Sequence, residues 1–222
     1  MAEALTDYIP LVEKFLTHWN DSETNLGRAL VLDNGTTRDS LQDLKEELIA
    51  LQNALINSEN DRQEQIKLRD NARNEALPMA KQVRKAVLGA LPSSAEAREL
   101  PTRVPAFNAD AQKQLVVLRD IENIWTRVDA LPAATHPGLV LPFTVRVDLE
   151  GTETDLARSS YSAAVGRLTA AASALEAAEQ ALKQAQQERK KVTERLKAVF
   201  LAYRKLIRGL FPRTSALYRS LP

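Results

Sequence analysis

The chain has 222 residues, 44% apolar and only 5% aromatic, with 30 Lys and Arg against 29 Asp and Glu and no cysteine. The missing cysteines exclude disulfides, thiolate metal centres and cysteine nucleophiles, and no stretch reaches the roughly 18 consecutive apolar residues of a membrane span. Ala, Leu, Glu, Gln, Lys and Arg dominate, all strong helix formers, so the composition predicts long helices with few breaks.

The first helix is predicted over Leu5 to Leu26, where Leu5, Ile9, Val12, Leu16 and Trp19 recur at three- and four-residue steps and share one face. Gly27 is its expected stop, and Ala29-Leu30-Val31-Leu32 reads as a short extended run. In Gly35-Thr36-Thr37-Arg38-Asp39, Thr36 is the expected N-cap and Asp39 favours the positive helix end. A long helix follows from 36 to 91, about 80 Å if straight, with an apolar rhythm at Leu41, Leu44, Leu48, Leu51 and Leu55 that returns at Ala72, Ala76, Met79 and Val83. Its middle, Asn57 to Glu75, is polar and reads as a continuous arm, while Pro78 is expected to kink or split the helix.

Residues 92–107 contain three prolines and read as a linker. A third helix is predicted from Asn108 to Leu131, with Leu115, Leu118, Ile121 and Val128 on one face and Ile124 or Trp125 joining them. A loop with Pro132, Pro137 and Gly138 comes next. Residues 139–149 carry a strand signal, because Phe143, Val145, Val147 and Leu149 alternate with polar neighbours. Gly151-Thr152-Glu153-Thr154-Asp155 then repeats the cap chemistry, and a fourth helix runs to about Leu210.

These segments form two diverged copies of one unit. Trp19 matches Trp125, Leu30-Val31-Leu32 matches Leu139-Val140-Leu141, Gly35-Thr36 matches Gly151-Thr152, Arg84-Lys85 matches Arg204-Lys205, and Gly89-x-Leu91-Pro92 matches Gly209-x-Phe211-Pro212. The spacing grows by three, seven and four residues between successive matches, and the last gain, about one helical turn, falls inside the long helix. The predicted fold is all-α: an elongated antiparallel helical bundle, or coiled-coil-like hairpin, built from two pseudo-symmetric helix–extended–long-helix repeats. At most a small β-ribbon is expected, formed only if each long helix doubles back to let the two extended segments pair or a partner chain supplies the mate. The repeats are 1–92 and 108–222, joined by the linker 93–107, and together make one structural unit.

Little in the sequence points to chemistry. The two histidines, His18 and His136, read as a helix-surface or packing residue and a loop residue. No Gly-rich phosphate loop and no G-x-S-x-G elbow occurs. No catalytic, cofactor-binding or metal site is therefore assigned, and no small-molecule substrate or membrane partner is expected. Met1–Pro10 lacks the basic-then-apolar order of a signal peptide, which makes a cytoplasmic protein the expectation.

Charge is uneven along the chain. Residues 1–61 hold 12 acids and 4 bases, whereas residues 189–222 hold 10 bases and one acid, Glu194. Arg189, Lys190, Lys191, Arg195, Lys197, Arg204, Lys205 and Arg208 are the candidate anion or partner contacts. Trp19, Trp125, Thr36 and Thr152 are the expected structural anchors. The function expected is that of a non-enzymatic structural or scaffolding protein that self-associates, or binds protein partners, through long amphipathic helices. Nucleic-acid binding through residues 189–219 is the alternative.

Overall fold

The computed structural model describes residues 8–132, 139–149 and 152–222, apart from the side chains of 147–149 and 152–154. Leu5, His136, Pro137, Gly138 and Gly151 lie outside the described residues. The chain is all-α with one small β-ribbon. Its helices are α1 (Tyr8–Leu26), α2 (Arg38–Ala90), α3 (Ala95–Glu99), α4 (Ala111–Asp129), α5 (Arg158–Leu210) and α6 (Ala216–Arg219), and strands β1 (Val145–Leu149) and β2 (Thr152–Leu156) fall between α4 and α5.

Gly27 closes α1 at a φ of 61°, a left-handed conformation that costs glycine nothing. Thr37, not Thr36, caps α2. Its hydroxyl accepts from the Ser40 amide at 3.2 Å, and the Ser40 hydroxyl accepts in return from the Thr37 amide at 3.4 Å. Thr36 works through its backbone, its carbonyl accepting from the Leu32 amide at 2.9 Å to close the turn before the helix. The α2 helix then runs for 53 residues through the polar middle and through Pro78, with no second helix beginning there.

Thr152 does not cap the fourth helix. It opens β2, which pairs antiparallel with β1 in the register Val145↔Leu156 to Leu149↔Thr152. Thr152 and Thr154 alternate with the residues between them, a strand pattern, and a two-residue connection ending in glycine is a hairpin signal. Val145 and Leu156, which face each other in that register, are both buried. The mate of the predicted strand is thus its own downstream neighbour and not the extended run at Ala29–Leu32. The linker segment also has structure: Ser94 caps α3, and Ala97 and Leu100 are buried.

Both long helices count 53 residues, from Arg38 and from Arg158. A constant step of 120 therefore relates them along their whole length, and no residues are gained inside the helix. The entire gain lies before it, where the second copy carries the hairpin and the first a short turn. The Gly35-Thr36 and Gly151-Thr152 match is a coincidence of composition.

Chain contacts divide the molecule into two compact units. One comprises residues 1–61 and 179–222, the other residues 62–178. Each unit takes its short tryptophan helix and the early part of a long helix from one copy. It takes the late part of a long helix and the following short helix from the other. The first unit buries Val12, Phe15, Trp19, Leu41, Leu48, Leu196 and Tyr203. The second buries Leu118, Ile121, Trp125, Tyr161, Leu168, Val83 and Val87.

Candidate functional site

Within each unit a carboxylate of the tryptophan helix, Glu23 or its match Asp129, holds an extended segment and the first arginine of a long helix, although the amide it holds differs in position. In the first unit Glu23 Oε1 accepts from the Leu30 amide at 2.9 Å and from Trp19 Nε1 at 3.1 Å, and its other oxygen lies 3.5 Å from Arg38 Nη1. In the second, Asp129 Oδ1 accepts from the Phe143 amide at 2.9 Å while Oδ2 lies 3.1 Å from Arg158 Nε. The arginine also donates to the residue after the tryptophan: Arg38 to Asn20 at 2.5 Å, Arg158 to Thr126 at 2.7 Å. A second recurring bond ties each short C-terminal helix back. Arg84 Nε donates to the Pro101 carbonyl at 2.8 Å and Arg204 Nε to the Pro222 carbonyl at 2.7 Å. Ser94 and Ser215 cap the two short helices identically, each accepting from the amide three residues on at 3.1 Å.

The units diverge in two places. The first is a buried polar network in unit one. The hydroxyl of Tyr203 lies 2.8 Å from His18 Nδ1 and 3.3 Å from Ser22 Oγ, and His18 Nε2 lies 2.8 Å from the Leu217 carbonyl. A carbonyl only accepts, so Nε2 carries the proton, and in the neutral ring Nδ1 accepts from Tyr203. Ser22 donates to the His18 carbonyl at 2.8 Å. Tyr203 also stacks on Trp19 with centroids 4.5 Å apart, and Phe15 stacks on Phe200 at 4.1 Å. Burial pushes the Tyr203 phenol up to about 12, against a smaller opposing pull from Ser22. The matching positions in unit two are Ile124, Val128 and Val83, all buried and all apolar. The sequence alone reads His18 as a helix-surface or packing residue. Its true partners, 185 and 199 residues away, carry no local signal.

The second divergence is a charge exchange. Arg195 Nη1 lies 3.0 Å from Glu47 Oε2, and Arg167 pairs bidentately with Glu75. Under the 120-residue step Glu47 matches Arg167 and Glu75 matches Arg195. The first copy thus supplies glutamate at both positions and the second arginine at both. Each unit therefore sets a glutamate of one copy against an arginine of the other, whereas two like copies would set like charges together.

The eight candidate contact residues do not converge on one site. Lys191 pairs with Glu188 at 2.7 Å and Arg195 with Glu47. Lys197 lies 5.6 Å from the Tyr8 ring centroid, and Arg204 lies over Phe15 at 5.3 Å while holding Pro222. Arg189 is half-buried, and Lys190, Lys205 and Arg208 are exposed. Residues 179–222 hold 11 bases and 3 acids, and they share a unit with the 12 acids and 4 bases of residues 1–61. The surplus of one sign equals the surplus of the other, so the unevenness along the sequence vanishes within the folded unit. Trp19 and Trp125 are wholly buried.

In unit two Arg73 is buried beside the Phe107 ring and donates to the Ala109 carbonyl at 3.3 Å. Desolvation, with Arg69 adding to it, lowers its pKa. Among the described residues no three His, Asp or Glu are placed to hold a metal ion, and no helix is long and apolar enough to cross a membrane. The chain matches no protein family, no curated protein and no solved structure.

Proposed function

We propose that this chain is a non-enzymatic structural or scaffolding protein that self-associates, or binds protein partners, through its long helices. One observation carries the reading: large apolar side chains point outward from both of them. Ile56 and Leu68 on α2 and Leu201 on α5 are each about half exposed or more. In unit two, Leu68 sits in a groove of about 440 Å³ whose other wall is Ala170, Ala171 and Ala174. Helix faces of this kind gain stability when a second surface covers them. The reading assigns no catalytic residue and no cofactor, and it places the protein in the cytoplasm. Light scattering across a micromolar concentration series tests it. A mass that rises above the 24.6 kDa of one chain supports the proposal, and a mass fixed at that value removes self-association from it.

Nucleic-acid binding is the second reading, favoured by the outward cations Lys190, Lys205 and Arg208. It predicts an affinity for single or double strands that falls steeply with salt. The cancellation of charge within the unit weighs against it.

A further inference from the structure

Resting on the self-association reading, we infer that the outward face of α5 in unit one is a docking surface for the outward face of α2 in a second copy of this chain. Lys190 and Arg208 stand eighteen residues apart, five helical turns, on one line of α5, and Leu201 lies within about 20° of that line. All three are exposed, and Leu201 is 66% exposed. The line runs along the side of α5 opposite the buried Val192, Leu196, Val199 and Tyr203, and Glu194 interrupts it. Neither Lys190 nor Arg208 has an ion pair or side-chain hydrogen bond among the described residues.

The matching acidic surface is on α2. Asp39, Asp43 and Glu46, spaced four and three apart, share the side opposite the buried Leu41, Leu44 and Leu48. In this unit the two helices run antiparallel. Leu32 shares a cavity with Lys205 and Gly209, while Glu47, farther along, meets Arg195. The acidic turns therefore stand level with the last turns of α5. Both charged faces point away from the core the two helices share, so a chain cannot bring its own acids to its own bases. A second copy can. The contact is heterologous, joining two different patches, so each added chain leaves one face open and assembly continues into a ring or filament. A polyanion is the weaker fit, since the acidic turns lie at the same level of the unit and repel it.

The test uses the full chain and two charge-reversed variants, K190E/R208E and D43K/E46K, each confirmed helical by circular dichroism. Near 0.01 M salt, where charges interact over about 30 Å, the wild type is expected to grow in mass with concentration, and near 1 M salt, where the range is about 3 Å, to return toward one chain. Each variant alone stays at one chain, because it has lost one face. Mixed, they grow again in mass with the two variants alternating, since reversal leaves one variant acidic on both faces and the other basic on both. Growth insensitive to salt and to both variants overturns this inference and leaves self-association standing. A wild type that is monomeric at both salts overturns both readings. A wild type that is monomeric yet shifts a labelled oligonucleotide at low salt assigns the basic face to polyanions instead.

Discussion

Three side chains of unit one, His18, Ser22 and Tyr203, replace aliphatic residues of unit two, and the replacement has measurable consequences. Tyr203→Phe keeps the ring stack on Trp19 but removes the proton that reaches His18 Nδ1. Stranding a buried acceptor destabilises by about 1–3 kcal/mol, which denaturant titration at neutral pH will show. The burial of Tyr203 also sets a pH dependence. The folded Tyr203 holds its proton up to about 12, whereas an unfolded tyrosine loses it near 10. Folding therefore retains a proton between those values, and stability contributed by Tyr203 is intact below about 10 and lost as pH rises towards 12. Titrations from pH 9 to 12 should show stability falling over that window, less steeply in Tyr203→Phe. Tyr161 keeps a residual slope, because burial raises its phenol too. None of this was legible in the sequence. His18 lies about 100° around the helix from Trp19 and off the face that the spacing predicts, and the residues that satisfy it arrive from the far end of the chain.

Among the elements, the two long helices were legible and their beginnings were not. The apolar rhythm, the prolines after each helix and the tryptophans fixed type and order. The Gly-Thr-x-x-Asp repeat misled because Thr and Asp serve turns, caps and hairpins alike. What distinguishes Arg38 and Arg158 as the matching first residues is the carboxylate each meets, a partner outside its own segment. That clamp predicts parallel losses. Glu23→Ala and Asp129→Ala each strip an acceptor from an extended segment and an ion from an arginine, and each is expected to destabilise its unit by about 1–3 kcal/mol in thermal or urea unfolding. The charge exchange is tested separately. Glu47→Arg sets two arginines together and lowers stability, and adding Arg195→Glu restores it. Exposed pairs couple by about 0.2–1 kcal/mol, so the double-mutant cycle must resolve that range. A cycle with no coupling would leave the exchange without consequence for pairing.

Over the whole molecule, the duplication read from the sequence acquires a different meaning. The copies lie one after the other along the chain, yet each compact unit draws on both. This explains why the acidic beginning and basic end of the sequence cancel. The polar stretch from Asn57 to Glu75 holds the boundary between units, with Asp61 in one and Arg62 in the other. Hydrogen exchange on a mildly weakened variant tests this most directly. Ile121 is fully buried in the second copy's short helix, and Ile121→Val costs about 0.5–1.5 kcal/mol. Exchange is predicted to quicken, roughly two- to ten-fold, in residues 62–90 of the other copy, with residues 179–210 of its own copy unchanged. Faster exchange throughout residues 108–222, with residues 62–90 unaffected, would contradict the account.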